Sequence, residues 1–125
     1  MGYVDNIEDR TIENSNFRKV LYTGAHMQLV VMSLKPGEDI GEEVHDNVDQ
    51  FFRFESGEGK VVMNGEESLI GAEMVVVVPA GTVHNIINTS ATEDLKLYTI
   101  YSPANHPEGT VHVTKAEAMA AEDHH

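Results

Sequence analysis

The chain has 125 residues, the length of one ordinary domain, and no composition shift or linker divides it. Eight basic against 21 acidic side chains give a formal charge of −13, which repels phosphate backbones and anionic lipid and so argues against nucleic acid and membrane as partners. With no cysteine, disulfides, thiolate nucleophiles and sulfur-ligated metals are excluded, and any bound metal must take nitrogen and oxygen donors.

The first residues, Met1-Gly2-Tyr3-Val4-Asp5, have neither a basic nor an apolar leader character. No segment approaches the roughly 18 apolar residues of a membrane span, so the expected location is the cytoplasm. From residue 17 to 101, short segments rich in Val, Ile, Leu, Phe and Tyr alternate with turn signals at Gly24, Pro36-Gly37, Ser56-Gly57, Asn64-Gly65, Gly71 and Pro79-Ala80-Gly81. That spacing is all-β and predicts strands over 19–23, 27–34, 42–45, 50–55, 59–63, 66–69, 74–78, 82–88 and 95–101. Asn64-Gly65 joins two of them, and a type I′ turn, which needs positive φ at both central residues, is expected there.

The run Met74-Val-Val-Val-Val78 shows no alternation and is expected to be buried on both faces or at an interface. Only the tail reads as helical: Thr114 and Glu117 form a capping-box pattern ahead of an Ala- and Glu-rich stretch, giving a short surface helix over about 114–122. The whole of 1–125 is thus one domain, with a β core over about 17–102. The terminal His124-His125 pair is set aside from functional reasoning.

Chemistry concentrates in two blocks. In the first, Glu43 and His45 are two apart on a strand, so both side chains project to one face, and Gln50 returns to the same space after a short turn. In the second, Pro79 and Gly81 turn the chain into a strand that presents His84. Carboxylate, amide oxygen and two imidazoles are competent donors for a first-row divalent ion, whether iron, manganese, zinc or nickel. Phe52 and Phe54 share the parity of Gln50, and with Met63 and Tyr101 they are expected to line the interior. Glu42 should be solvated, Asp46, Asn47 and Asp49 should form the turn, and Asn88 should be structural. His26, His106 and His112 have no motif partner, and Asn105-His-Pro-Glu-Gly109 reads as a loop over the barrel mouth.

These blocks resemble the two signature motifs of the cupin superfamily, G-x5-H-x-H-x4-E-x6-G and G-x5-P-x-G-x2-H-x3-N. Gly37, His45, Gly57, Gly71, Pro79, Gly81, His84 and Asn88 carry the resemblance, with Gly71 two residues further from Pro79 than the motif asks. Glu43 stands at the first histidine position and Gln50 at the glutamate position. The resemblance implies a double-stranded β-helix, or jelly-roll barrel, with a short C-terminal helix. It implies a divalent metal on Glu43, His45, Gln50 and His84, a set similar to that of the cupin-fold phosphomannose isomerases. A small metal-dependent enzyme acting on a small oxygenated molecule is the expected function, by dioxygenase, isomerase or lyase chemistry, with no catalytic acid or base assigned. The alternative is a non-catalytic module that binds or senses a small molecule such as a sugar. A homodimer is expected in either case, through an extra strand from residues 3–23.

Overall fold

The computed structural model describes residues 2–122; the His124-His125 pair lies outside them. In chain order the elements are α1 (Ile7–Glu13), β1 (Arg18–Thr23), β2 (Gln28–Leu34), β3 (Asp49–Ser56), β4 (Glu58–Met63), β5 (Glu66–Gly71), β6 (Val75–Val78), β7 (His84–Asn88), β8 (Leu95–Ser102), β9 (Val111–His112) and α2 (Lys115–Glu122). The strands form a six-stranded sheet, ordered β6-β3-β8-β2-β1-β9, and a three-stranded sheet, ordered β5-β4-β7. Every pairing is antiparallel, as the expected all-β barrel requires.

Register decides what faces inward, because directly paired residues share a face. Gln28 pairs with Tyr101, Tyr101 with Gln50, and Gln50 with Val78. Val30, Thr99, Phe52 and Val76 form the next inward row, and Met32, Leu97 and Phe54 the one below it. These rows are buried. The core is therefore an apolar floor of Phe54, Leu34, Leu95 and Leu97 beneath a layer in which polar groups mix with aromatic rings. Tyr101 keeps the buried parity of Leu95 and Leu97, as expected of a residue that lines the interior, whereas Tyr98 turns outward.

Asn64 and Gly65 have φ of 49° and 85°, the type I′ turn expected between β4 and β5. Asn88 is structural, as expected: its amide nitrogen is shared among the carbonyls of Leu34, Lys35 and Glu93 while its oxygen accepts from Ser90 N.

Five expectations are corrected. Residues 42–45 form no strand; only Glu43 makes an isolated bridge, to His84. Gly41, with φ of 106°, turns its amide onto Asn85 Oδ1 at 2.9 Å instead of a ladder carbonyl, which interrupts the pairing. The valine run is not covered on both faces. Val76 and Val78 are buried while Val75 and Val77 are 52% and 58% exposed, since β6 is an edge strand with solvent on its outer face. The tail is not the sole helix, because α1 precedes β1; Asn6 caps it by accepting from Asp9 N at 3.0 Å. Residues 3–23 do not offer a spare strand at their start. Arg18 and Lys19 of β1 pair with both β2 and β9, and Val20 N donates to Thr110 O, so the outer edge is filled there from within the chain.

The fifth concerns α2. Its Thr114 cap forms, with Glu117 N donating to Thr114 Oγ1 at 3.1 Å. The helix is not merely on the surface, however, because Ala118 is fully buried against the core. Among the described residues no helix is long and apolar enough to cross a membrane.

Candidate metal centre

Glu43 and His84 exchange both backbone hydrogen bonds at 2.9 Å, which places their side chains on the same side of the bridge. Extended alternation persists around Glu43 despite the lost strand: Glu42 and Val44 are exposed, Glu43 and His45 half-buried. Gly81 N donates to His45 O at 2.8 Å, and Ala80 N donates to Asp49 Oδ1 at 2.9 Å. The turn from the second block is thereby tied to the first. Asp46 and Asn47 form the exposed turn between them.

The expected residues are brought together. His45 and His84 have ring centroids 5.7 Å apart, His45 lies 6.1 Å from the Tyr101 ring, and His84 lies 6.4 Å from Phe52. Met63 pairs directly with His84 across β4 and β7. Gln50 is 4% exposed and His84 5% exposed, so both donors sit inside the barrel.

Glu43, His45 and His84 are neighbours without forming a closed shell, and Gln50 is buried beside Tyr101 on the adjoining strand. Among the described residues no three His, Asp or Glu side chains are arranged to hold an ion as they stand; His45 Nε2 instead lies 3.2 Å from Glu43 Oε2. Burial pushes the Glu43 carboxyl upward, but its contact with His45 and the positive fields of Arg18 and His84 hold it below the usual carboxylate range.

The donor atoms themselves fit a cation. His84 Nδ1 sits 2.9 Å from Thr82 O; a carbonyl only accepts, so the proton is on Nδ1 and the Nε2 lone pair is left open, the arrangement seen for metal-bound imidazoles. Gln50 Nε2 donates to Thr99 Oγ1 at 3.0 Å. Gln50 Oε1 is buried with no partner, whereas His45 Nε2 is buried against Glu43 Oε2.

Sequence reading missed Thr99 and Thr82, which orient two of the four ligands, although Thr99 shares the inward parity of Leu97 and Tyr101. It also missed Gln28, whose amide pins the 103–110 segment: Nε2 donates to His106 O, and Oε1 accepts from Asn105 N and His106 N. His106 Nε2 then meets Tyr101 Oη at 3.2 Å, so this loop does reach the residue that lines the mouth. Two surface depressions, one beside Asn14 and Lys19 and one beside Tyr22 and Glu108, include no candidate ligand.

Residues 30–101 match the family described as the cupin domain. The chain is 53% identical to YrkC of Bacillus subtilis strain 168 over 127 residues, covering 97% of this chain and 68% of that protein. The crystal structure of BH2720 from Bacillus halodurans superposes with a TM-score of 0.93 at 48% identity, covering 96% of this chain and 95% of the other. A predicted oxalate decarboxylase from Thermotoga maritima superposes with a TM-score of 0.58 at 27% identity, covering 62% and 66% of the two chains. The barrel is a double-stranded β-helix, and the chain belongs to the cupin superfamily.

Proposed function

We propose that this cupin binds one divalent metal through Glu43, His45, Gln50 and His84 and acts on a small oxygenated molecule at that centre. The observation that carries the reading is the amide oxygen of Gln50, buried and without a partner. An unsatisfied buried acceptor costs about 1–3 kcal/mol, and a cation is the partner that the neighbouring open imidazole lone pair and the ionised Glu43 carboxylate would share with it.

A bound divalent ion supplies Lewis-acid polarisation of a carbonyl or activation of dioxygen. The chain's own residues do the rest. Glu43 contributes the one carboxylate of the set, kept ionised by its surroundings. Gln50, a neutral oxygen, would be the weakest donor to such an ion and the one a chelating substrate would displace most readily. Phe52, Met63 and Tyr101 wall the centre against water. Oxygenation, sugar isomerisation of the mannose-6-phosphate isomerase kind and lyase chemistry all suit this set, and the similarity to a predicted oxalate decarboxylase lends support to the last.

The test is metal analysis and calorimetric titration of chelated protein with iron(II), manganese and zinc, beside a His84→Ala variant. Binding of one equivalent by the native chain and its loss in the variant is the expected result. Equal binding by both would overturn the reading. A second reading, a non-catalytic binding or sensing module, is favoured by the direct contact of His45 Nε2 with Glu43 Oε2 at 3.2 Å, which pairs two of the four donors with each other. Oxygen uptake, isomerisation and decarboxylation assays on each metal form separate the two, because ligand-induced stabilisation without turnover in any form selects the binding module.

A further inference from the structure

Arg18 takes an inward position on β1, with the parity of Val20, and pairs with Met32 on β2 and His112 on β9. It is 1% exposed and is the bulkiest of the fully buried side chains. Its Nη1 lies 3.3 Å from His112 Nδ1, and the guanidinium stands 5.3 Å over the Phe17 ring. Nε and Nη2 have no hydrogen-bond partner. Among the described residues, no carboxylate forms an ion pair with it.

A guanidinium does not shed its proton, so burial leaves this charge in place and uncompensated. Which nitrogens are bare is informative. In the planar group, Nε and Nη2 share the edge that faces away from Cδ, and their N–H bonds run parallel. That edge accepts a carboxylate through two charge-assisted hydrogen bonds. Arg18 pairs with Met32, in the row beneath Thr99 and Phe52, and its positive field acts on both Glu43 and His106. Charge points the same way: Glu43 is the one carboxylate among the four ligands, and a divalent ion together with Arg18 outweighs it. The interior of this acidic chain is then cationic, a setting for an anion.

We propose that the Nε–Nη2 edge of Arg18 docks the carboxylate of the substrate, which makes the ligand of this barrel a small organic acid. This deepens the metal-centre reading and rests on it: the acid's second oxygen group is what the metal would take.

The test is thermal shift and calorimetric titration of the full chain with acetate, glycolate, oxalate and malonate, with glycerol and mannose as neutral controls. It is run without metal and with manganese or zinc, on the native protein, Arg18→Met and Arg18→Lys. Acids are expected to stabilise the native chain and the neutral compounds to leave it unchanged. Arg18→Met should lose the acid-dependent shift yet bind the metal as the native chain does. Arg18→Lys, which keeps the charge without the fork, should bind acids at least about tenfold more weakly. Native acid affinity in either variant overturns the proposal, as does a native chain that no acid stabilises or that mannose stabilises instead. If Arg18→Met fails to fold, Arg18→Lys decides alone. Metal titration is read separately, so an Arg18-dependent acid response in a chain that binds no metal overturns the metal reading and supports this one.

Discussion

Gln50 Nε2 donates to Thr99 Oγ1 at 3.0 Å, and that one bond determines which end of the amide is left over, because it commits the nitrogen and leaves the oxygen without a partner. Thr99 thereby acts on the metal centre without touching an ion. Thr99→Val removes the acceptor and lets the amide turn, so divalent-ion affinity should fall about tenfold to a hundredfold, the usual cost of losing an orienting partner. Thr99→Ser keeps the hydroxyl and should keep the affinity. Competition against a coloured chelator measures both, and native affinity in Thr99→Val would remove Thr99 from the centre.

Asn88, the last residue of the second motif, should behave in the opposite way. Its side chain holds the carbonyls of Leu34, Lys35 and Glu93 and the amide of Ser90, joining the end of β2 to the loop between β7 and β8. Asn88→Ala orphans those groups and should cost about 1–3 kcal/mol of stability, read as a lower urea midpoint. Its metal affinity should match the native value.

The two residues differ in how far the sequence exposed them. Alternation placed Gln50, Phe52 and Phe54 on one face and separated Tyr101 from Tyr98, because β3 and β8 are regular over their apolar residues. Glu43 and His45 came together for the same reason even though their ladder fails, since the chain stays extended past Gly41. Helix α1 gave no such signal: Ile7-Glu-Asp-Arg-Thr-Ile-Glu13 buries only Thr11, so it carries no apolar stripe. Neither could β9, two residues long, be distinguished from loop. Arg18 shares the parity of Val20 and is open to the same argument, but its neighbour His112 lies on β9, 94 residues away in the chain, and that no local pattern reports.

An unbroken valine run conceals which residues face out, and the exposed half is where association is expected. Val75 and Val77 lie on an edge strand just after Met74, which is 46% exposed. We propose that a second copy covers this stripe. The double variant Val75→Thr/Val77→Thr retains β-branched side chains and should sediment as a monomer where the native chain sediments as a dimer. A native chain that is monomeric at micromolar concentration rules the dimer out.

His106 supplies a pH dependence of definite sign. Burial pushes its imidazole down to about 3, and Arg18, His112 and His45 add to that effect while Glu43 opposes it. The ordinary value is 6.5, so between those limits the unfolded chain binds a proton that the folded chain refuses. Stability therefore rises with pH across that window. The His106 contribution is whole above pH 6.5, is lost as pH falls below it, and stops changing near pH 3. The imidazole also meets Tyr101 Oη, and its backbone is held by Gln28, so protonation loosens the segment that reaches the barrel mouth. His106→Gln removes the titration and keeps a polar group of similar reach. Melting temperatures of the two proteins, followed from pH 8 to pH 4, should run in parallel above pH 6.5, with the native chain falling more steeply below it. Parallel curves over the whole range would mean that the folded protein accepts the proton as readily as the unfolded one.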